Sequence, residues 1–536
     1  MTQGLSYIQG PTEPALRDLT LGEALREAAE DSPDQIALIC GTPDPAARRQ
    51  WTYAELYAEA EKTAHVLAAL FEPGERVAIW APNIPEWVMV EFGAAMAGVI
   101  LVTVNPSFQA KEVEYVLNQS QAAGILTLRE YRGNPMMQTV KSVMSQCPAL
   151  REVIDLGEWD AFLENTAADD KPLPQVKPTD PVMIQYTSGT TGFPKGALLH
   201  HRGLVNNGAH TTHRMGVPRG ASTVTMMPLF HTGGCVACVL GAVSARGTQV
   251  LVETFDPGLV LELIETYRCC AMLGVPTMLI AMLEHPSFAE RDLSCVKTLC
   301  SGGSTVPAAL VRRFEEGLGA KFTIVFGQTE CSPVAAMTRP DDSTEDKAHT
   351  LGGPMPHVEI KIIDPQSGET VPQGVMGEFC TRGYHVMLEY FRNPEATAKT
   401  IDAEGWLHTG DLCAMDERGY TSVQGRLKDM IIRGGENIYP REIEELLYQH
   451  PGIASVAVVG LPDEKYGEVV AAVIQPASGQ TPDQAMLFAY LRENLSPQKT
   501  PSLWYRVEEF PLTGSGKIQK FKLREMHAAS ELQPLN

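Results

Sequence analysis

The sequence predicts an α/β chain: a large N-terminal domain of parallel α/β layers carrying a small β-rich subdomain, followed by a small α+β C-terminal domain. Three observations predict it. At 536 residues the chain exceeds what one hydrophobic core holds. Through about the first 425 residues short apolar runs alternate with helical segments, the pattern of parallel α/β layers. After Arg426 a compact pattern of hairpin, helix and long strands takes over.

Taken in order, the apolar runs Arg76–Trp80, Val99–Val104, Gly124–Leu128, Val182–Tyr186, Thr223–Met227, Thr248–Glu253, Ala271–Val275 and Phe322–Phe326 read as buried strands. Glu86–Ala97 reads as the helix before the second of them. Between Ile362 and Tyr390 the Gly and Pro turns come closer together, as in DPQSGETVPQGVMGE, which marks the β-rich subdomain. In the C-terminal part, Ile431–Ile438 predicts a hairpin and Arg441–His450 a helix. Strands follow at Ala454–Val459 and Val469–Ile474, then a helix at Pro482–Asn494. The domains are expected at residues 1–427 and 428–536, the second being of ordinary domain size.

A formal charge of -22 argues against general affinity for nucleic acid or anionic membrane, so a polyanionic substrate needs a local basic site. Arg426, Lys428, Arg433, Lys517, Lys520, Lys522 and Arg524 are candidates. The start, MTQGLSYIQGPTEP, lacks the basic and apolar regions of a secretory signal, and the most membrane-like stretch, Phe92–Val104, is short of a span. A cytoplasmic protein is expected, with the mitochondrial matrix open for a processed chain. Eleven cysteines then read as reduced, mostly buried thiols. Cys235 and Cys238 form a CxxC, but inside the apolar run CVACVLGAV and without histidine spacing for zinc, so packed helix residues are expected.

The run Thr187–Gly196, TSGTTGFPKG, follows a strand and suits a phosphate. Gly189, Gly192 and Gly196 let the backbone approach an anion. Thr187, Ser188, Thr190 and Thr191 can donate hydrogen bonds, and Lys195 adds a charge. It is not a Walker loop, because Pro194 precedes the lysine and Gly196 follows it. By itself the run is equally a Gly/Thr-rich surface turn.

Five further motifs accompany it in order: PLFHTGG at Pro228–Gly234, FGQTE at Phe326–Glu330, HTGD at His408–Asp411, GRLKDMIIRGGENIYPREIE at Gly425–Glu444 and PLTGSGKIQK at Pro511–Lys520. Together they resemble the adenylate-forming superfamily of acyl-CoA synthetases, nonribosomal adenylation domains and beetle luciferases, over nearly the whole chain. The resemblance implies an ATP clasp at TSGTTGFPKG, with Thr187, Ser188, Gly189, Thr190, Thr191 and Lys195 on the β- and γ-phosphates. It assigns Phe326 to stacking on adenine, with Gly302, Gly303, Ser304, Gly327 and Gln328 around the nucleotide. Thr329 would donate to the α-phosphate, and Glu330 supplies the hard oxygen that Mg²⁺ prefers. Asp411 would accept from the ribose hydroxyls with Arg426 beside it.

The resemblance also makes Lys517, on the TGSG loop, the catalytic charge between carboxylate and α-phosphate. Lys428 aligns with a hinge about which the C-terminal domain turns between two half-reactions. Gly434 and Gly435 would then line a narrow tunnel for the pantetheine of coenzyme A, though they also read as a plain hairpin turn. His231 aligns with the aromatic position bordering the acid pocket. Amino-acid-activating relatives carry an aspartate just after an aromatic in this segment; here Phe230 is followed by His231, which disfavours amino acids. Cys235, Val236 and Met278 suggest an apolar pocket.

The expected activity is an ATP-dependent acyl-CoA synthetase, closest to the medium-chain fatty-acyl enzymes, using ATP, Mg²⁺ and coenzyme A with no tightly bound organic cofactor. Aryl or short-chain acids, and a ligase loading a separate carrier protein, are the alternatives within the fold. A catalytically silent nucleotide-binding protein is the alternative of another class, disfavoured by the joint presence of Lys195, Glu330, Asp411, Arg426 and Lys517. No nucleic-acid partner is expected; a homodimer is an open possibility.

Overall fold

The computed structural model describes residues 4–164, 172–187, 194–304, 306–512 and 518–535. Two mostly parallel sheets form the bulk of the chain. One has seven strands in the order Glu389–Tyr390, Gly196–His200, Pro181–Tyr186, Ile100–Val104, Arg76–Trp80, Ala122–Thr127, Glu152–Asp155. Gly196–His200 is antiparallel to both of its neighbours, and the last five strands are mutually parallel. The other sheet has nine strands, with Lys321–Gly327, Thr298–Gly302, Ala271–Leu273, Ser222–Thr225, Thr248–Leu251 and Ile36–Cys40 as its parallel centre. Every strand of the α/β part predicted from the apolar runs is present. The predicted C-terminal ends at Glu253 and Val275 fall back to Leu251 and Leu273. Asp256 caps the helix Pro257–Tyr267 and Pro276 opens the next, so the chain leaves the sheet early to turn into each.

The β-rich subdomain is an antiparallel five-stranded sheet, Tyr7–Gln9, Val358–Ile363, Gly377–Gly383, Leu407–Met415 and Thr421–Arg426. It is wider than the Ile362–Tyr390 segment expected for it, because its edge strand comes from the chain's beginning. After the short turn Leu427–Asp429 the C-terminal α+β part begins. The hairpin Ile431–Arg433/Glu436–Ile438 and the long pair Ile453–Asp463/Gly467–Pro476 form its sheet, packed by helices Pro440–Tyr448, Gln484–Arg492 and Lys520–Ala528. Among the described residues no helix is long and apolar enough to cross a membrane.

The helix Pro85–Met96, of which Glu86–Ala97 is the predicted form, is buried on almost every face. Its Glu91 is 1% exposed, and neither carboxyl oxygen has a hydrogen-bond partner among the described residues. Burial pushes its pKa well above the usual 4.5, so the folded protein keeps this proton at neutral pH. The unfolded chain releases it, so folding takes up a proton. The stability Glu91 contributes is therefore full below the unfolded pKa and is lost as pH rises, by up to ~1.4 kcal/mol per pH unit. Glu91→Met, close in volume and apolar, should accordingly melt higher than the parent at pH 8, with the gain shrinking toward pH 4.5. An equal difference at both pH values would show that Glu91 is not held neutral.

Candidate active site

The site gathers at the C-terminal ends of the parallel strands, where open α/β sheets bind ligands. Thr298–Gly302 and Lys321–Gly327 end side by side, with Gly302 opposite Val325. Close approach explains the glycines. A Cβ on Gly302 would lie 2.5 Å from the Val325 carbonyl oxygen, and one on Gly327 1.8 Å from that of Pro333. Gly303 turns away with φ +80° and leaves Ser304 exposed. Phe326 is half-buried at the strand end, its ring 4.8 Å from that of Phe379.

The chain then winds through a single 3-10 turn, Thr329–Cys331, which leaves Thr329 half-buried and sends the Glu330 side chain inward. Gln328 Nε2 donates to the carbonyl of Thr409 and to Asp411 Oδ2, both at 2.9 Å. This amide, expected at the nucleotide, is engaged in holding the candidate ribose carboxylate. Asp411 is 4% exposed and pairs with Arg426 across the antiparallel register, and Arg426 Nε lies 2.9 Å from Oδ1. Two donors fix the carboxylate plane while each oxygen keeps a lone pair for a hydroxyl.

Behind Asp411, Glu378 Oε1 accepts from the Gly410 N–H at 2.9 Å, and its Oε2 meets His408 Nδ1 at 3.0 Å. Asp402 Oδ2 lies 3.5 Å from the other ring nitrogen. Glu378, and then Asp402, raise the His408 pKa against the opposing effect of burial. Cys380 Sγ is 3.6 Å from Nδ1, so Glu378, Cys380 and His408 have donor atoms close enough to surround a metal. Their mutual hydrogen bonds account for the arrangement, which buttresses the strand segment that carries Asp411.

Thr187 and Lys195 stand opposite each other where strands Pro181–Tyr186 and Gly196–His200 part. The Thr187 N–H donates to the Lys195 carbonyl at 2.9 Å. The two strand ends are thus tied to each other; Ser188, Gly189, Thr190 and Thr191 lie outside the described residues, as does Lys517. Lys195 Nζ sits 4.8 Å from the centre of the Tyr390 ring, and the Tyr390 hydroxyl donates to Glu330 Oε1 at 2.6 Å. A buried carboxylate already held by the Tyr390 hydroxyl fits a hard divalent cation such as Mg²⁺.

His231 closes a turn whose Gly233 N–H donates to its Nδ1 at 3.0 Å. The following segment, expected as a packed helix, is a π-helix, Gly233–Leu240, which re-aims the side chains after His231. Cys235 and Val236 are fully buried in it, and Cys235 Sγ accepts from Gln185 Nε2 at 3.0 Å. Met278 is half-buried on the helix Pro276–Glu284, which starts beside Gly303. No carboxylate follows His231 within this turn.

Lys428 lies in the connecting turn, inside the field of the site. Burial, then Arg426, lowers its pKa, while Asp429, Asp411 and Glu330 oppose the shift. Gly434 and Gly435 form the hairpin turn at φ +61° and +88°, exposed, with nothing within 4 Å of a Cβ built on Gly435. Tyr390, Glu378 and His408 escaped the sequence reading as site-forming residues; the His408 of HTGD was the only signal among them.

Gln328 and Arg426 on Asp411, and Tyr390 between Glu330 and Lys195, join residues of separate motifs at one end of the parallel strands. The family model of AMP-binding enzymes matches residues 25–391, and that of the AMP-binding enzyme C-terminal domain matches 442–517. The chain belongs to the AMP-binding enzyme family and is a ligase of its acyl-CoA synthetase class. It is 41% identical to the Bacillus subtilis protein YngI, provisionally named an acyl-CoA synthetase, over 94% of this chain and 96% of that one. It is 38% identical to the mitochondrial medium-chain acyl-CoA ligase ACSF2 of Danio rerio, over 97% and 90%. Among solved structures, ATP-bound MatB from Rhodopseudomonas palustris superposes with TM-score 0.86 at 26% identity, covering 96% of this chain and 100% of that one.

Proposed function

We propose that the protein activates a medium-chain fatty acid in two half-reactions. The observation that carries this reading is the pairing of Gln328 and Arg426 on the two oxygens of Asp411, beside a Glu330 carboxylate already clamped by Tyr390. With ribose on Asp411 and adenine against Phe326, the α-phosphate falls near Thr329, whose hydroxyl would donate to it. Lys195 and the hydroxyls of TSGTTGFPKG would hold the β- and γ-phosphates. A magnesium ion bound at Glu330 would neutralise phosphate charge. The acid's carboxylate oxygen attacks the α-phosphorus and pyrophosphate leaves. Lys517 would stabilise the charge shared between carboxylate and phosphate in that transition state. Residues 428–536 then turn about Lys428 relative to 1–427, and the coenzyme A thiol displaces AMP from the acyl carbon past Gly434 and Gly435.

Two features support a fatty acid. The wall after His231 is apolar, with Cys235 and Val236 buried, and lacks an acid to pair an ammonium. The relative from Danio rerio is named for medium-chain acids. The test is AMP release with carboxylic acids of graded length and with aryl acids, with coenzyme A, with a phosphopantetheinylated carrier protein, or with neither. A maximum at intermediate chain length that requires coenzyme A is expected. Equal rates at every length, preference for aryl acids, or turnover only with the carrier would each contradict it.

A further inference from the structure

Tyr390 lies outside the TSGTTGFPKG run and outside the FGQTE turn, yet it touches both. Its hydroxyl donates to Glu330 Oε1 at 2.6 Å, and both side chains are buried. The Lys195 ammonium lies over the same ring. The arrangement uses both polarities of a phenol, the electron-rich face toward a cation and the hydroxyl edge toward an anion.

The backbone around Tyr390 holds it there. Glu389–Tyr390 pairs with Gly196–His200, placing Tyr390 opposite Ala197, two residues beyond Lys195. The Tyr390 N–H donates to Thr397 Oγ1 at 3.0 Å, and three residues earlier the Met387 N–H donates to the Glu330 carbonyl at 2.9 Å. One short strand thus sews the end of the TSGTTGFPKG run to the turn that carries Glu330. Burial, and then Glu330 itself, push the phenol pKa up, so the hydroxyl stays a donor throughout the working pH range.

We propose that Tyr390 is a positioning residue that presents Glu330 to the divalent cation accompanying ATP and fixes its separation from Lys195. This rests on the reading of Glu330 as the metal carboxylate. Tyr390→Phe keeps the ring and the Lys195 contact and deletes only the hydrogen bond to Glu330. A tyrosine that merely fills space would tolerate this change without altering the metal requirement.

The experiment compares the parent, Tyr390→Phe and Glu330→Gln. Acid-dependent pyrophosphate exchange is titrated with Mg²⁺. In parallel, Mn²⁺ bound in the presence of a non-hydrolysable ATP analogue is measured by the loss of the free-ion paramagnetic resonance signal, which needs no turnover. Tyr390→Phe should raise the half-saturating Mg²⁺ about tenfold, the scale of one hydrogen bond to a charged group, and weaken Mn²⁺ binding in step. Its melting temperature and its KM for the fatty acid should stay at parental values. A Tyr390→Phe metal requirement equal to the parent's, with that of Glu330→Gln raised, would overturn the role of Tyr390 alone. An unchanged requirement in Glu330→Gln would overturn the metal reading of Glu330 itself.

Discussion

Replacing Lys517 by alanine is expected to lower carboxylate-dependent pyrophosphate exchange by at least ~10²-fold, the cost of removing one preorganised charge-stabilising donor. Four basic residues cluster near this end of the chain, and the structure separates two of them. Lys520 is committed to Glu444 at 2.7 Å, with both side chains largely buried, so it anchors the last helix. Arg524 points to the Gly460 carbonyl within the same domain. Lys517 lies outside the described residues; next to it Leu512 and Ile518 are bridged and the Gln519 N–H donates to the Pro511 carbonyl. The variant should still convert supplied acyl-AMP and coenzyme A to thioester, because that step would proceed with Lys517 withdrawn. Exchange at the parental rate in Lys517→Ala would remove it from the chemistry.

Gly435→Leu should do the reverse, blocking thioester formation by at least ~10²-fold, the scale at which a misplaced reactant stops reacting, and leaving pyrophosphate exchange intact. The hairpin turn makes a control essential. Gly434 and Gly435 both have positive φ, as the two-residue turn between Arg433 and Glu436 requires. Any side chain at 435 therefore carries about 1–2 kcal/mol of left-handed strain. Gly435→Ala carries that strain without the bulk, so the ratio of leucine to alanine isolates the tunnel. In the orientation seen here a Cβ at 435 would meet nothing within 4 Å and the position is exposed, which is why adenylation should tolerate the substitution. Loss of both steps to the same extent in both variants would mean damage to the hairpin and would remove the tunnel assignment.

The sequence was most legible where chemistry is compressed into short motifs. FGQTE names a strand end and its turn, HTGD an acid just after a glycine, and TSGTTGFPKG follows the end of a strand. It was least legible where contacts join distant positions. Tyr390 meets Glu330 from 60 positions away, on a strand of two residues that no periodicity reveals. The edge of the β-rich subdomain is Tyr7–Gln9, and the Tyr7 hydroxyl bonds Glu359, 352 positions later. Gln328 was read with its motif as lying around the nucleotide; only the fold shows its amide donating to Asp411. Glu91 was hidden by its surroundings, since nothing in the run EWVMVEFGAAMAG distinguishes it from Glu86 five positions earlier. The π-helix after His231 escaped because its composition, CVACVLGAV, suits any buried helix.

The central claim is that the acid's own oxygen becomes bonded to the α-phosphorus before coenzyme A enters. A fatty acid labelled with ¹⁸O in its carboxylate, turned over to completion with ATP and coenzyme A, tests it most directly. The predicted result is one labelled oxygen per AMP, read by mass spectrometry, with unlabelled pyrophosphate. Label in phosphate together with ADP, as an acyl-phosphate route would produce, or AMP without label, would contradict it.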